Sequence, residues 1–159
     1  WGCDMATLLR AQGIYSGYGK IEVLHGASIE AREGEIVCII GPNGSGKSTL
    51  LKTVFGLIRA TKGSIIFGDR DVTTLDPEEK ATIGISYIPQ GKNVFPSLTV
   101  LENLEMGAAI LGSSSRIAAA LEKVLETYPL LRAKLKAKAF ITALNRPGSG
   151  GIVYTRGSL

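Results

Sequence analysis

Residues 41–49 read Gly-Pro-Asn-Gly-Ser-Gly-Lys-Ser-Thr and meet every fixed position of G-x-x-x-x-G-K-[ST]. These residue types at this spacing are suited to holding a polyphosphate. Gly41, Gly44 and Gly46 tolerate positive φ and carry no side chain, so the backbone can wrap closely around phosphate oxygens. Amides from Asn43, Gly44, Ser45 and Gly46 through Ser48 and Thr49 can then face an anion at a helix N-terminus, where the dipole favours negative charge. Lys47 is placed to reach the β- and γ-phosphates, and the Ser48 hydroxyl to hold Mg²⁺. The alternative is a Gly-rich turn that matches by chance. The flanks argue against it. Glu35–Ile40 is a short apolar run suited to a buried strand, and Ser48–Phe55 reads as a helix closed by Gly56.

The elements that must position the loop can be read along the chain. Residues 7–14 and 21–31 pattern as two strands joined by a Gly-Tyr-Gly turn at 17–19, and Arg32-Glu-Gly34 is a second turn. Ser64–Phe67 is a short strand closed by Gly68-Asp69. Asp76-Pro-Glu-Glu79 opens a helix, with Asp76 as N-cap, Pro77 at the first helical position and Glu79 closing a capping box. Ile83–Ile88 is another strand, ended by Pro89. Thr99-Val-Leu-Glu102 is a second capping box, opening a helix to about Ile110. Gly112–Ser115 is a linker. Residues 116–127 and 130–139 are rich in Ala, Leu and Lys and expected to be helical, with a break at Pro129. Asn145–Gly151 is loop-like, and Ile152–Thr155 is a weak strand.

Length and composition set bounds. A chain of 159 residues suffices for one domain with a real core. Its 45% hydrophobic and 20% charged content marks it as globular rather than disordered. Six of the 18 Lys and Arg lie in residues 127–159, which hold no Asp or Glu. Such a stretch could touch acidic lipid or nucleic acid, but a solvated helix face with a loose end is the favoured reading. Two cysteines give no disulfide framework, and Cys38 is expected as a small buried hydrophobe, which suits a reducing cytosol. No apolar run approaches the roughly 20 residues of a membrane span, and no signal peptide is visible. Met5 reads as a start, preceded by leader residues.

Three further spacings converge on a known family. Tyr18 sits 29 residues before Lys47 in a Gly-Tyr-Gly-Lys turn. Gln90 follows Ser86-Tyr-Ile-Pro89 at a strand end, and Phe95-Pro-Ser-Leu-Thr-Val-Leu-Glu-Asn-Leu104 opens a helix. Over roughly residues 7–139 the chain resembles the nucleotide-binding subunit of ABC transporters. The stretch Pro89-Gln-Gly-Lys-Asn-Val-Phe-Pro-Ser-Leu-Thr-Val100 looks most like the branched-chain amino acid importers, with urea importers similar there.

The resemblance implies an α/β fold. Its parts are a P-loop NTPase core (the ABC nucleotide-binding domain), an N-terminal antiparallel β-portion and a helical portion after Gln90. It implies ATP and Mg²⁺ as cofactors. Tyr18 would stack on adenine, with Tyr15 as the competing aromatic. Gln90 would sense Mg²⁺ and the attacking water, the nearest to a catalytic residue that the chain offers, and would open the segment facing the membrane subunit. The expected partners are transmembrane permease subunits and a second ATP-binding subunit, with no nucleic acid. The expected location is cytoplasmic, peripheral on the inner face of the cell membrane. His25, the one histidine, is taken as structural.

The chain also departs from the family pattern. The last aspartate is Asp76 and the last acidic residue is Glu126, so no Asp-Glu pair follows the glutamine. The family signature should fall near residues 142–146, where the sequence is Thr-Ala-Leu-Asn-Arg, and Ser149-Gly150-Gly151 is only a partial echo. The expected organisation is the N-terminal part of a nucleotide-binding domain over residues 5–139, truncated, then a non-family tail over 140–159. A frameshift or early stop would give this pattern. Loss of the strand beside the phosphate-loop strand should leave apolar sheet uncovered and invite aggregation.

Overall fold

The computed structural model describes residues 6–91, 93–139 and the backbone of 151–154. Most of the 140–159 tail, including the expected signature region, therefore lies outside the described residues, as do Cys3 and Met5. The described chain forms two compact units that meet in sequence at Tyr87 and Ile88.

The first unit is built on a long hairpin. Strand β1 (Thr7–Tyr18) pairs antiparallel with β2 (Ile21–Arg32), so the turn is tighter than the expected 17–19 and sits at Gly19-Lys20. Strand β3 (Ala60–Phe67) pairs with the other edge of β1, and β4 (Arg70–Asp71) with β3, giving the order β2-β1-β3-β4. Helix α1 (Lys47–Phe55) packs on this sheet. The apolar core joins Ala11, Ile14, Leu24, Leu50, Val54, Ile65, Val72 and Ile85. Helix α2 (Pro77–Thr82) carries the expected capping box at Asp76 and Glu79. Strand β5 (Ile85–Ile88) follows, and Tyr87 on it stacks with Phe55 at 5.8 Å between ring centroids. The weak strand expected near 152–155 is present as β6 (Gly151–Tyr154), paired with β5.

Among the described residues, the largest fully buried side chain is a lysine. Lys80 of α2 is 0% exposed, and its ammonium donates to the Val54 carbonyl at 2.9 Å. That carbonyl lies in the last turn of α1, where orphan acceptors need donors and a cation suits the dipole. Burial pushes the Lys80 amine down to about 8, against a smaller opposing pull from Asp71.

The segment before the phosphate loop overturns an expectation. Glu35–Ile40 is not a buried strand: among the described residues it joins no ladder. Ile36 is 96% and Ile40 90% exposed, Cys38 is also exposed, and only Ile39 packs against the core. An apolar run has the capacity to be buried but cannot supply the neighbour that pairs with its amides and covers its faces.

The second unit is helical. Helix α3 (Val100–Ala108) begins at the Thr99 capping box, where Thr99 Oγ1 accepts from the Glu102 amide and the Glu102 carboxylate accepts from the Thr99 amide. These bonds hold the Glu102 carboxyl below its usual range. A 3-10 turn (Ala109–Leu111) leads to α4 (Ser114–Thr127), which starts inside the expected linker because Ser113 caps it. Residues 130–139 depart from the helical expectation. After a 3-10 stretch (Pro129–Lys134) the chain turns into a strap along the start of α3. The Val100 and Leu101 amides, which have no intrahelical acceptors, donate to the Ala137 and Leu135 carbonyls at 2.9 and 3.0 Å. Satisfying those donors outweighs the helix propensity of the segment.

Two measurements test these readings. The bare 35–40 segment should drive self-association, so Ile36→Lys with Ile40→Lys should raise the monomer fraction in sedimentation velocity; an unchanged distribution would clear the segment of that role. The lowered Lys80 pKa means the folded state sheds its proton before the unfolded state does. Between pH 8 and 10.5 the unfolded chain holds more protons, so stability should rise with pH. The urea midpoint of the parent should climb relative to that of Lys80→Met across this window.

Candidate functional site

The phosphate-loop glycines adopt the backbone that the sequence demands. Gly44 and Gly46 have φ of 85° and 86°, and Gly46 is the N-cap of α1 in the left-handed region. A Cβ at Gly46 would also meet Leu24 Cδ2 at 2.8 Å, so this glycine seats the loop against the hairpin as well as turning it. A Cβ at Gly41 would crowd Ser45 Oγ at 2.9 Å and partly fill the cradle.

Lys47 is folded over the loop. Its ammonium donates to the Gly41 carbonyl at 2.7 Å and the Pro42 carbonyl at 2.6 Å, with Ser45 Oγ at 3.5 Å. The cation thus sits among loop carbonyls within reach of any anion bound there. No acidic residue occupies the first turn of α1. The amides of that turn have no intrahelical acceptors and form an anion seat. Asn43, Gly44 and Ser48 are exposed, whereas Thr49 is buried. The Thr53 hydroxyl bonds back to the Thr49 carbonyl at 2.8 Å and to Ser16 Oγ on β1 at 2.6 Å, and this buried pair fixes α1 on the sheet.

These residues fit a polyphosphate. For a divalent cation the fit is narrower. Among the described residues no cluster of three His, Cys, Asp or Glu side chains is present, so a cation held by the exposed Ser48 hydroxyl would take most of its other oxygens from a bound polyphosphate and water.

The two candidate aromatics differ in what surrounds them. Tyr18 is half-exposed at the end of β1, and the Lys52 ammonium of α1 lies 3.5 Å from its hydroxyl and 5.8 Å from its ring centroid. Tyr15 is engaged on the sheet: His25 meets it edge-on at 6.4 Å, Lys62 sits 5.2 Å from its ring centroid, and its hydroxyl faces Gly26. His25 also lies 3.2 Å from a Glu22 carboxylate oxygen. Gln90 is exposed in a bend past β5 and belongs to the second unit. Within the first unit the structure therefore joins Gly41, Ser45, Lys47 and the first turn of α1, and ties Tyr18 to that same helix. Sequence reading missed Lys52. A lysine five residues past Lys47 reads only as a solvated helix position.

Comparisons with known proteins point to one family. The family model described as ABC transporter matches residues 24–148. The probable branched-chain amino acid transport ATP-binding protein LivF of Archaeoglobus fulgidus is 37% identical over 132 residues, covering 83% of this chain and 56% of that protein. The high-affinity branched-chain amino acid transport ATP-binding protein BraG of Pseudomonas aeruginosa is 40% identical, covering 77% and 52%. The sn-glycerol-3-phosphate import ATP-binding protein UgpC of Burkholderia cenocepacia is 41% identical, covering 77% and 35%. The chain thus spans about half the length of the branched-chain relatives. A crystal structure of a nucleotide-free ATP-binding cassette from an ABC transporter superposes with a TM-score of 0.73 at 31% identity, over 88% of this chain and 60% of that one. The chain belongs to the ABC transporter family, with the fold of its ATP-binding cassettes.

Proposed function

We propose that this chain is the loop-bearing part of an ATP-binding subunit that energises import of branched-chain amino acids together with transmembrane permease subunits. The observation that carries the nucleotide reading is the cradle: Lys47 among the Gly41 and Pro42 carbonyls, above an acid-free helix start. Bound Mg²⁺ would supply positive charge to the β- and γ-phosphates. Lys47 supplies a second cation, Ser48 an oxygen, and the first-turn amides of α1 fixed donors that need no reorganisation. Tyr18 is the open aromatic for adenine. Gln90, in the role the family resemblance suggests, contributes an amide able both to donate and to accept.

The solute reading rests on LivF and BraG, whose names specify branched-chain amino acid transport. UgpC, named for sn-glycerol-3-phosphate import, keeps a second solute class in view. Co-purification with permeases of each class would separate them. Support for a protein partner comes from an apolar groove of about 590 Å³ in the second unit, lined by Phe95, Val100, Leu104, Met106 and Leu131 among others. No helix among the described residues is long and apolar enough to cross a membrane. The reading places the subunit in the cytoplasm, peripheral on the inner membrane face and paired with a second ATP-binding subunit.

A second reading, a chain that binds nucleotide without turning it over, is favoured by the acid count. No acidic residue follows Glu126, so the chain by itself offers no Asp-Glu pair to order the metal and polarise water. Two outcomes are expected for the 159-residue chain. Lys47→Ala should weaken Mg-ATP binding by about tenfold or more in calorimetry; equal affinities would remove the loop assignment. Phosphate release by the parent should not exceed that of Lys47→Ala. Turnover well above it would reveal a carboxylate at work, with Glu78, Glu79 and Glu102 the first to examine.

A further inference from the structure

We propose that Lys52 is a positioning residue for base recognition, holding the Tyr18 ring as a fixed platform for the adenine of a nucleoside triphosphate. The proposal rests on the reading of Tyr18 given above. Its own observation is a contact between residues 34 apart in sequence. The Lys52 ammonium reaches the Tyr18 hydroxyl at 3.5 Å and lies 5.8 Å from the ring centroid. Those two distances put the ammonium beyond the hydroxyl edge rather than over the ring face, so the contact is a long hydrogen bond that leaves the faces of the ring open.

A half-exposed tyrosine beside a hairpin tip would otherwise sample several rotamers, and a base could stack on it only after ordering it. A ring already held loses less freedom on binding. The holder is well placed. Lys52 is partly buried, and the next residue, Thr53, makes the buried 2.6 Å bond to Ser16, two residues before Tyr18. The strand that ends in Tyr18 and the helix that carries Lys52 are thus fixed side by side. The same helix begins at Lys47 with the phosphate seat, so the base platform and the phosphate cradle are referenced to one rigid element. Tyr15 has no such freedom to receive a base, because His25, Lys62 and Gly26 already surround it.

Lys52 could instead act as a second phosphate cation. The two roles separate when the base is removed from the ligand. The probes are Mg-ATP and inorganic tripolyphosphate with Mg²⁺, titrated into the full chain and its variants by calorimetry. Helical circular dichroism checks each fold. Lys52→Met and Lys52→Gln should weaken ATP about three- to fivefold, as expected for loss of one exposed contact, while tripolyphosphate binding stays within about twofold. Lys52→Arg should keep most ATP affinity, since a guanidinium also donates and stacks on a ring. In a Tyr18→Ala background, Lys52→Met should add no further loss. Equal weakening of ATP and tripolyphosphate would overturn the proposal in favour of a phosphate role. So would unchanged ATP binding in Lys52→Met and Lys52→Gln while Tyr18→Ala weakens it. If Tyr18→Ala itself leaves ATP binding unchanged, the Tyr18 reading fails and the proposal falls with it.

Discussion

A helix that offers its first-turn amides to a ligand must be held by everything else it touches. Helix α1 meets this constraint along its buried face and at its C-terminal end. Leu50 and Val54 enter the apolar core, Thr53 bonds to Ser16 on β1, and Phe55 stacks on Tyr87 of β5. At its C-terminal end the Lys80 ammonium serves the Val54 carbonyl. A buried amine there is costly to desolvate, which is why its pKa falls, yet it satisfies an acceptor that water cannot reach. A rigid helix with its N-terminus open is the state in which a preorganised anion seat is worth most, because the donors need not move when charge arrives.

The approach to that helix is the opposite case. Residues 36–40 lead into the cradle with isoleucines in solvent and no neighbouring strand among the described residues. An extended run of this kind carries unpaired amides and apolar side chains together, the combination that folded proteins usually cover or charge. The loop geometry survives this because its restraints come from the other side. Gly46 is seated against Leu24, and the Gly41 and Pro42 carbonyls are gathered by Lys47 itself.

The second unit shows the same accounting of orphan groups in a helical setting. Asn103 accepts from the Phe95 amide and donates to the Phe95 and Thr99 carbonyls, locking the Phe-Pro-Ser-Leu entry to α3. The strap from Leu135 to Ala139 then supplies acceptors for amides at the start of that helix. A basic, Ala-rich stretch expected to be helical instead folds into a 3-10 turn and a short strap, whose carbonyls serve as partners for the helix beside it.

Much of the site was legible in the residues alone because its determinants act within a few positions. Glycines at fixed offsets set the positive φ angles, Lys47 reaches back over its own loop, and the capping boxes at Asp76 and Thr99 each close within three residues. The hairpin and the short strands followed from alternation and turn residues. Other features depend on distant segments that pattern cannot pair. Among them are the bare 35–40 run, the buried Lys80 on Val54, 26 residues away, and the strap over α3. The hold of Lys52 on Tyr18 spans 34 residues. Local chemistry could therefore be read from sequence, since each group finds its partner along the chain. Burial and cross-chain pairing were decided only by the tertiary structure, since a side chain's environment depends on which remote element comes to lie beside it.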